Sequence, residues 1–161
     1  MGVDRRGVVT LFCVLLASVA AGGEGTTGAD TKAIEEAILA VNAEMSKAGE
    51  AVDADRLFSF MLDTDKGSII QNGVMMATRQ EALQQVRGNL GGISKIQYSW
   101  KSQHVTVLST EVALLTAEGE STATTTAGER FTTPFAQTVV FILKDGSWKA
   151  IHAHQSSPRA P

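Results

Sequence analysis

The sequence predicts an α+β fold in which helices come first and a long antiparallel sheet follows. From Ile34 to Met45, apolar residues recur at positions i, i+3, i+4, i+7 and i+11, the spacing of an amphipathic helix. From Ile93 onwards the apolar period changes to two, which is typical of strands. Because helices and strands do not alternate, the parallel β-α-β class is excluded. We expect a long N-terminal helix and short helices packed on a strongly bent antiparallel sheet.

Local signals place the elements in chain order. The long helix is predicted over about residues 31–49, and a second short helix over 54–61. Asn72-Gly73 indicates a β-hairpin between residues 68 and 77, because both turn residues must take positive φ. Thr78 begins a third helix, which Gly91-Gly92 ends. Four long strands are predicted near residues 93–109, 110–124, 131–144 and 147–156.

The N-terminus has the features of a secretory signal peptide. Arg5 and Arg6 precede an apolar run of about fourteen residues, shorter than the roughly 20 of a spanning helix. Ser18-Val19-Ala20 fits a small-residue cleavage site. We therefore expect a signal peptide at 1–20, cleavage near Ala20, and a secreted or periplasmic protein. An uncleaved membrane anchor is the alternative, and the paired arginines weakly resemble a twin-arginine signal.

The remaining chain is divided, on this interpretation, into three parts. Residues 21–30 form a flexible lead-in, 31–157 a single domain, and 158–161 a tail. The chain's one cysteine, Cys13, leaves with the signal, so disulfides, a thiolate nucleophile and cysteine metal sites are excluded. No stable membrane insertion is expected after signal removal.

Composition bounds the partners. The chain has 161 residues and a net charge of −3, which is unlike a nucleic-acid binder or a polybasic membrane binder. No dinucleotide or P-loop motif is present in the sequence, and no cofactor is predicted.

A bent sheet with a helix across its concave side leaves an apolar, cone-shaped cavity, which is the default binding site. The convex side then needs cover, and a second copy of the chain supplies it in a homodimer.

Two motifs carry a family resemblance. The last strand reads Asp145-Gly146-Ser147-Trp148-Lys149-Ala150-Ile151-His152-Ala153-His154-Gln155-Ser156, and the third helix starts Thr78-Arg79-Gln80-Glu81-Ala82-Leu83. With the element order, these resemble the nuclear transport factor 2-like superfamily, which includes SnoaL-like proteins and has a cystatin-like cone fold. The last-strand motif is similar to that of the calcium/calmodulin-dependent kinase association domain. The resemblance covers about residues 31–157 and implies a cone-shaped α+β barrel. It does not imply one activity, because the fold hosts isomerases, cyclases, dehydratases, oligomerisation modules and binders.

His152 and His154 are candidate cavity residues. They lie two apart on a predicted strand and so share a face, together with Trp148 and Ala150. In the cavity, a histidine is a general base, a hydrogen-bond partner or a ligand contact. The alternatives are a histidine bonded to a backbone carbonyl or one at a dimer face. Two histidines are too few ligands for a metal, so no metal site is predicted.

Three further residues are candidates for the cavity wall. Tyr98 and Trp100 share a strand face and either line the cavity mouth or belong to the core. Gln137 lies on an apolar face, where its amide needs a partner, either a last-strand histidine or a ligand. Asp63 follows the second helix as a candidate base or an ordinary turn residue. No catalytic residue is assigned.

Three functions follow from these observations. The leading hypothesis is an exported, homodimeric domain that binds a small apolar or amphipathic molecule through Tyr98, Trp100, Gln137, His152 and His154. The second is an isomerase, cyclase or dehydratase that uses a pocket histidine as general base, with Tyr98 or Gln137 polarising a carbonyl. The third is an oligomerisation module without a working cavity.

Overall fold

The computed structural model describes residues 28–64, 66 and 68–158. The predicted signal peptide at 1–20, residues 21–27 of the predicted lead-in and residues 159–161 of the predicted tail lie outside the described residues. Within the described part, no helix is long and apolar enough to span a membrane.

Two of the helices begin directly after a capping side chain, Asp53 and Thr78. The helices are α1 (Gly28–Glu50), α2 (Ala54–Ser59) and α3 (Arg79–Leu90). Helix α1 starts three residues before the predicted Thr31 and so includes the end of the predicted lead-in. The Thr78 hydroxyl accepts a hydrogen bond from the Glu81 backbone N–H, and the Glu81 carboxylate accepts one from the Thr78 N–H. This capping box explains why the third helix was predictable from four residues.

A curved six-stranded sheet follows, and the α+β class is confirmed. Its strands are β1 (Ile69–Gln71), β2 (Val74–Met76), β3 (Ile93–Val107), β4 (Val112–Thr125), β5 (Arg130–Lys144) and β6 (Ser147–Ser156). The strand order is β2-β1-β6-β5-β4-β3. Two details differ from the expectation. Strand β1 pairs with β6 in parallel, so the sheet is mixed, and β2 and β3 remain as edges, so the barrel does not close.

Tight turns join two of the antiparallel pairs. Asn72 and Gly73 have φ of 50° and 84°, and Asp145 and Gly146 have φ of 50° and 74°. Consecutive positive φ values define the type I′ turn, whose twist matches that of the strands it joins. The hairpins therefore lie where the sequence predicts them.

The hydrophobic core lies between the helices and one face of the sheet, which we call the inner face. Its largest fully buried side chains include Ile38 of α1, Phe58 of α2, Leu115 of β4 and Phe141 of β5. On the opposite, outer face, residues such as Thr116 are exposed. Side chains alternate between the two faces along each strand, so register decides which residues meet the helices.

Three register shifts interrupt that alternation in the described strands, and two of them are β-bulges close to candidate site residues. One lies between Trp100 and Ser102 of β3. The other is in β6, where Ala150 pairs with Phe141 and His152 pairs with Val140, so that Ile151 is an extra residue. A bulge bends its strand and changes which later side chains point to a given face. The second bulge decides the position of both C-terminal histidines.

Candidate functional site

A cavity of about 150 Å³ lies between the helices and the inner face. Its wall is mostly apolar and aromatic, with several neutral polar side chains. The apolar lining comprises Met45, Leu57, Phe58, Met61, Ile69, Val86, Trp100, Phe135, Val139 and Ala153. The polar lining comprises Asn42, Ser46, Gln71, Tyr98, Gln137 and Gln155.

Three aromatic rings form one side of the wall. Tyr98 and Trp100 are stacked, with ring centroids 6.1 Å apart and planes inclined by 22°. Phe135 meets both edge-on, at 6.1 Å from Tyr98 and 5.3 Å from Trp100. Offset-stacked and edge-to-face contacts are the favoured arrangements of aromatic pairs. The structure thus places Tyr98 and Trp100 together on the cavity wall, and Trp100 also packs against the hydrophobic core.

Tyr98 keeps its proton in this environment. Burial raises the pKa of its phenol, and the negative charge of Glu50 raises it further. Glu50 itself accepts a hydrogen bond from the Tyr98 backbone N–H at 3.0 Å. The ring packs so closely on α1 that a Cβ at Gly49 would lie 2.9 Å from the Tyr98 hydroxyl. The phenol is therefore a neutral hydrogen-bonding group and not a base.

A row of glutamines crosses the inner face. In the strand register Gln103 is opposite Ala117, which is opposite Gln137, and Gln155 lies between Gln137 and Gln71. We call the four glutamines the amide row: Gln103, Gln137, Gln155 and Gln71. Directly opposed residues on neighbouring strands point to the same side, which is why these amides converge.

Most of the amide row is internally hydrogen-bonded. Gln71 Nε2 donates to Gln155 Oε1 at 2.8 Å. Asn42, which is buried in α1, donates from Nδ2 to Gln103 Oε1 at 3.0 Å. Among the described residues, the half-buried Gln137 amide has no hydrogen-bond partner. Gln137 therefore lies on the cavity wall with its polar group available.

Neither C-terminal histidine lines this cavity, which corrects the sequence-based expectation. Trp148 packs against the core and Ala150 is fully buried, but the Ile151 bulge then shifts the alternation. His152 is consequently opposite Val140, and His154 is opposite Thr138, on the outer face. The neighbour of Gln137 on the last strand is Gln155 and not a histidine.

His154 instead borders an open groove of about 420 Å³ on the outer face. In register, His104, Thr116, Thr138 and His154 form a straight row across four strands. The groove is also lined by Ser102, Glu118, Ala136 and Ser156. No group of three or more His, Cys, Asp or Glu side chains in the described part of the chain is arranged to hold a metal ion.

The remaining candidate, Asp63, is exposed and is not among the cavity-lining residues. Among the lining side chains that the structure describes, Tyr98 is the sole ionisable group. Sequence reasoning missed Gln71 and Gln155. Gln71 faces the cavity through its long-range pairing with β6, and Gln155 does so because of the bulge, and local sequence reveals neither.

Comparisons with known proteins identify the domain type. The family model described as SnoaL-like domain matches residues 38–160. No curated protein matches the chain. A candidate dehydratase of the nuclear transport factor 2-like family from Streptomyces avermitilis has a similar structure, with a TM-score of 0.70, 22% identity, and coverage of 80% of this chain and 99% of that one.

Two other solved structures have the same fold. A nuclear transport factor 2-like superfamily protein from Salmonella enterica serovar Typhimurium gives a TM-score of 0.72 at 14% identity, covering 80% of this chain and 94% of that one. A candidate calcium/calmodulin-dependent protein kinase II association domain from Xanthomonas campestris gives 0.60 at 17% identity, covering 77% and 84%. At these identities the likeness concerns the fold alone.

Proposed function

The chain belongs to the SnoaL-like domain family, and from that premise we propose that its cavity binds a small, uncharged, amphipathic molecule with a flat apolar part. The observation that carries this proposal is the chemistry of the wall. Apolar and aromatic side chains alternate with neutral amides, and no charged side chain lines the cavity among the described residues. Burying a charged ligand there without a counter-ion is costly, whereas a neutral ring loses little.

The size of the cavity supports a ligand built on one small ring. An apolar cavity of roughly 150 Å³ accommodates a benzene ring in another protein. The cavity here has a similar volume, about 150 Å³. The Trp100 and Phe135 rings, 5.3 Å apart and nearly perpendicular, offer both a face and an edge to such a ligand.

Binding is better supported than catalysis. An isomerase, cyclase or dehydratase that works by proton transfer needs a general base within hydrogen-bond reach of its substrate. The lining side chains that the structure describes include no carboxylate or imidazole, and Tyr98 holds its proton. The hypothesis of a pocket histidine as general base is not supported, because His154 lies on the outer face.

Trp100 provides the direct test. In a Trp148→Phe background Trp100 is the single tryptophan, so its fluorescence reports the cavity. We expect toluene and benzyl alcohol to change that fluorescence saturably and to raise the melting temperature, since a ligand that binds only the folded state stabilises it.

A matched pair of alanine-to-leucine substitutions distinguishes binding in the cavity from binding at other surfaces. Ala153→Leu adds the same side chain inside the cavity that Ala136→Leu adds on the exposed outer face. We expect Ala153→Leu to weaken the toluene response and Ala136→Leu to leave it intact. Equal responses in both variants, or no saturation in the parent, would contradict the proposal.

We further propose that the outer face pairs two copies of the chain. The helices pack on the inner face, while Thr116, Glu118 and His154 of the outer face are exposed in the single chain. An isologous contact between two such faces covers both at once. Light scattering on the parent is expected to give the dimer mass. The variant Thr138→Arg places a charge beside His154 on the outer face and is expected to give the monomer mass. A Gln84→Arg control on α3 should stay dimeric, and a monomeric parent at micromolar concentration would exclude this dimer.

Export is the last part of the proposal. It is supported by the basic start, the short apolar run and the small residues before Ala20. Expression of the full chain in a bacterium should yield a periplasmic or secreted product whose mass corresponds to cleavage near Ala20. Full-length protein retained in the membrane fraction would favour an uncleaved anchor.

A further inference from the structure

Gln137 lines the cavity, and its side-chain amide forms no hydrogen bond within the described part of the chain. It lies on the inner face of β5 between Phe135 and Val139, both of which are buried. Its amide is half-buried and has no partner among the described residues. The apolar side chains around it cannot satisfy its N–H groups or its oxygen.

The neighbours of Gln137 in the register do not supply the missing bonds. Ala117, directly opposite on β4, has no polar side-chain atom. Gln155, directly opposite on β6, accepts a hydrogen bond from Gln71 and forms none with Gln137. An occupant of the cavity with complementary donors and acceptors exchanges the hydrogen bonds of this amide to water for direct ones.

The pattern of available groups indicates what the occupant presents. A glutamine amide offers an N–H donor and a carbonyl acceptor side by side. A carboxylate only accepts hydrogen bonds, and here it would find no positive charge among the described lining side chains. A hydroxyl donates and accepts through one oxygen atom, so it does not meet the side-by-side N–H and C=O of the amide with two parallel hydrogen bonds. A carboxamide or lactam matches both positions at once and remains neutral.

We infer that the ligand carries a neutral amide-type group, a carboxamide or a lactam, that forms paired hydrogen bonds with the Gln137 amide. Its flat apolar part then lies against Trp100 and Phe135, which line the same cavity. This inference rests on the proposed function, because it names the chemical class of the molecule that the cavity binds.

Three probes of nearly one shape test it: benzamide, benzoate and toluene. Each is titrated against the Trp148→Phe protein with Trp100 fluorescence as the signal. We expect benzamide to bind roughly tenfold more tightly than toluene, because its carboxamide adds hydrogen bonds to Gln137 that toluene lacks. Benzoate is expected to bind most weakly, because it brings an uncompensated charge into the cavity.

The variant Gln137→Met keeps the length of the side chain and removes the amide. It should bring the dissociation constants of benzamide and toluene together, whereas Gln84→Met, at an exposed position of α3, should keep the preference. Retention of the preference in Gln137→Met overturns the assignment to Gln137. If that variant fails to fold, the probe series on the parent protein still decides.

The outcomes separate this inference from the proposed function. Equal binding of benzamide and toluene, or tighter binding of benzoate, overturns the amide assignment while the cavity remains a binding site. If none of the probes changes Trp100 fluorescence saturably, both the inference and the proposed function are wrong.

Discussion

The inner and outer faces of the sheet consist of adjacent residues on the same strands, yet they offer a ligand different surroundings. Gln155 lies on the cavity wall, while its neighbour His154 borders the open outer groove. Val139 and Thr138 are divided in the same way. The inner amides lie among aromatic rings and helices, whereas His104 and His154 on the outer face are exposed. His152 and His154, the candidate bases in the sequence, are therefore not among the cavity-lining residues.

The largest difference between the faces should appear in stability. Phe141→Ala removes a fully buried inner side chain and is expected to cost about 3–5 kcal/mol of unfolding free energy. Ile142→Ala, one residue away and half-buried on the outer side, should cost much less. Urea denaturation of both variants measures the contrast, and equal losses would mean that both faces are core.

A second contrast concerns the close approach of β3 and β4 beside the aromatic wall. A Cβ on Gly119 would lie 2.6 Å from the Ser99 carbonyl oxygen, beside the β3 bulge. Gly119→Ala should therefore destabilise the protein by about 1–3 kcal/mol, as overpacking does. Gly88→Ala in α3 meets nothing within 4 Å and should instead stabilise the helix by up to about 1 kcal/mol. Thermal unfolding that moves in the same direction for both variants would contradict the close strand approach.

Two buried polar side chains, Asn42 and Ser68, differ in whether they have a hydrogen-bond partner. Asn42 is 3% exposed and bonded to Gln103, whereas Ser68 is 0% exposed and its hydroxyl has no hydrogen-bond partner among the described residues. Ser68→Ala should leave stability unchanged or raise it by about 1 kcal/mol, since it removes an unsatisfied group. Asn42→Ala should lower stability by about 1–3 kcal/mol, because Gln103 loses its donor. Chemical denaturation that shows a loss for Ser68→Ala would indicate a partner for that hydroxyl.

The pH dependence of the cavity should come from Tyr98, the chain's single tyrosine. Burial raises its pKa above the ordinary value of 10.0, so the folded state holds the proton more tightly than the unfolded chain. The resulting stabilisation is fully present below pH 10.0 and is lost as the pH rises through the folded-state pKa. Tyrosinate absorbance should therefore appear at higher pH in the folded protein than in the denatured protein. Tyr98→Phe should lose the matching part of the alkaline fall in stability.

The smallest expected effect on ligand binding comes from the outer-face histidines. Replacing His104 and His154 together by asparagine should leave toluene binding to the cavity unchanged, because neither histidine lines it. The Trp100 titration measures this, with Gln137→Met as the variant that alters the preference among ligands. A large loss of binding in the histidine variant would connect the two faces and contradict their independence.

Local sequence signals predicted much of this molecule. The capping box at Thr78, the Asn72-Gly73 turn and the change of apolar period at Ile93 each act over a few residues, so their structures were predictable. The same reasoning placed Tyr98 and Trp100 on a common face, and Gln137 with Phe135, since no bulge separates the members of either group.

What local sequence cannot supply is the register across strands. The alternation predicted His154 on the same face as Ala150, but the extra residue Ile151 separates them. The parallel pairing of β1 with β6, which brings Gln71 beside Gln155, joins segments far apart in the chain. The sequence by itself determined the elements, their order and the family. Only the tertiary structure decided which side chains meet in the cavity, because a bulge and a long-range pairing depend on the energy of the whole sheet.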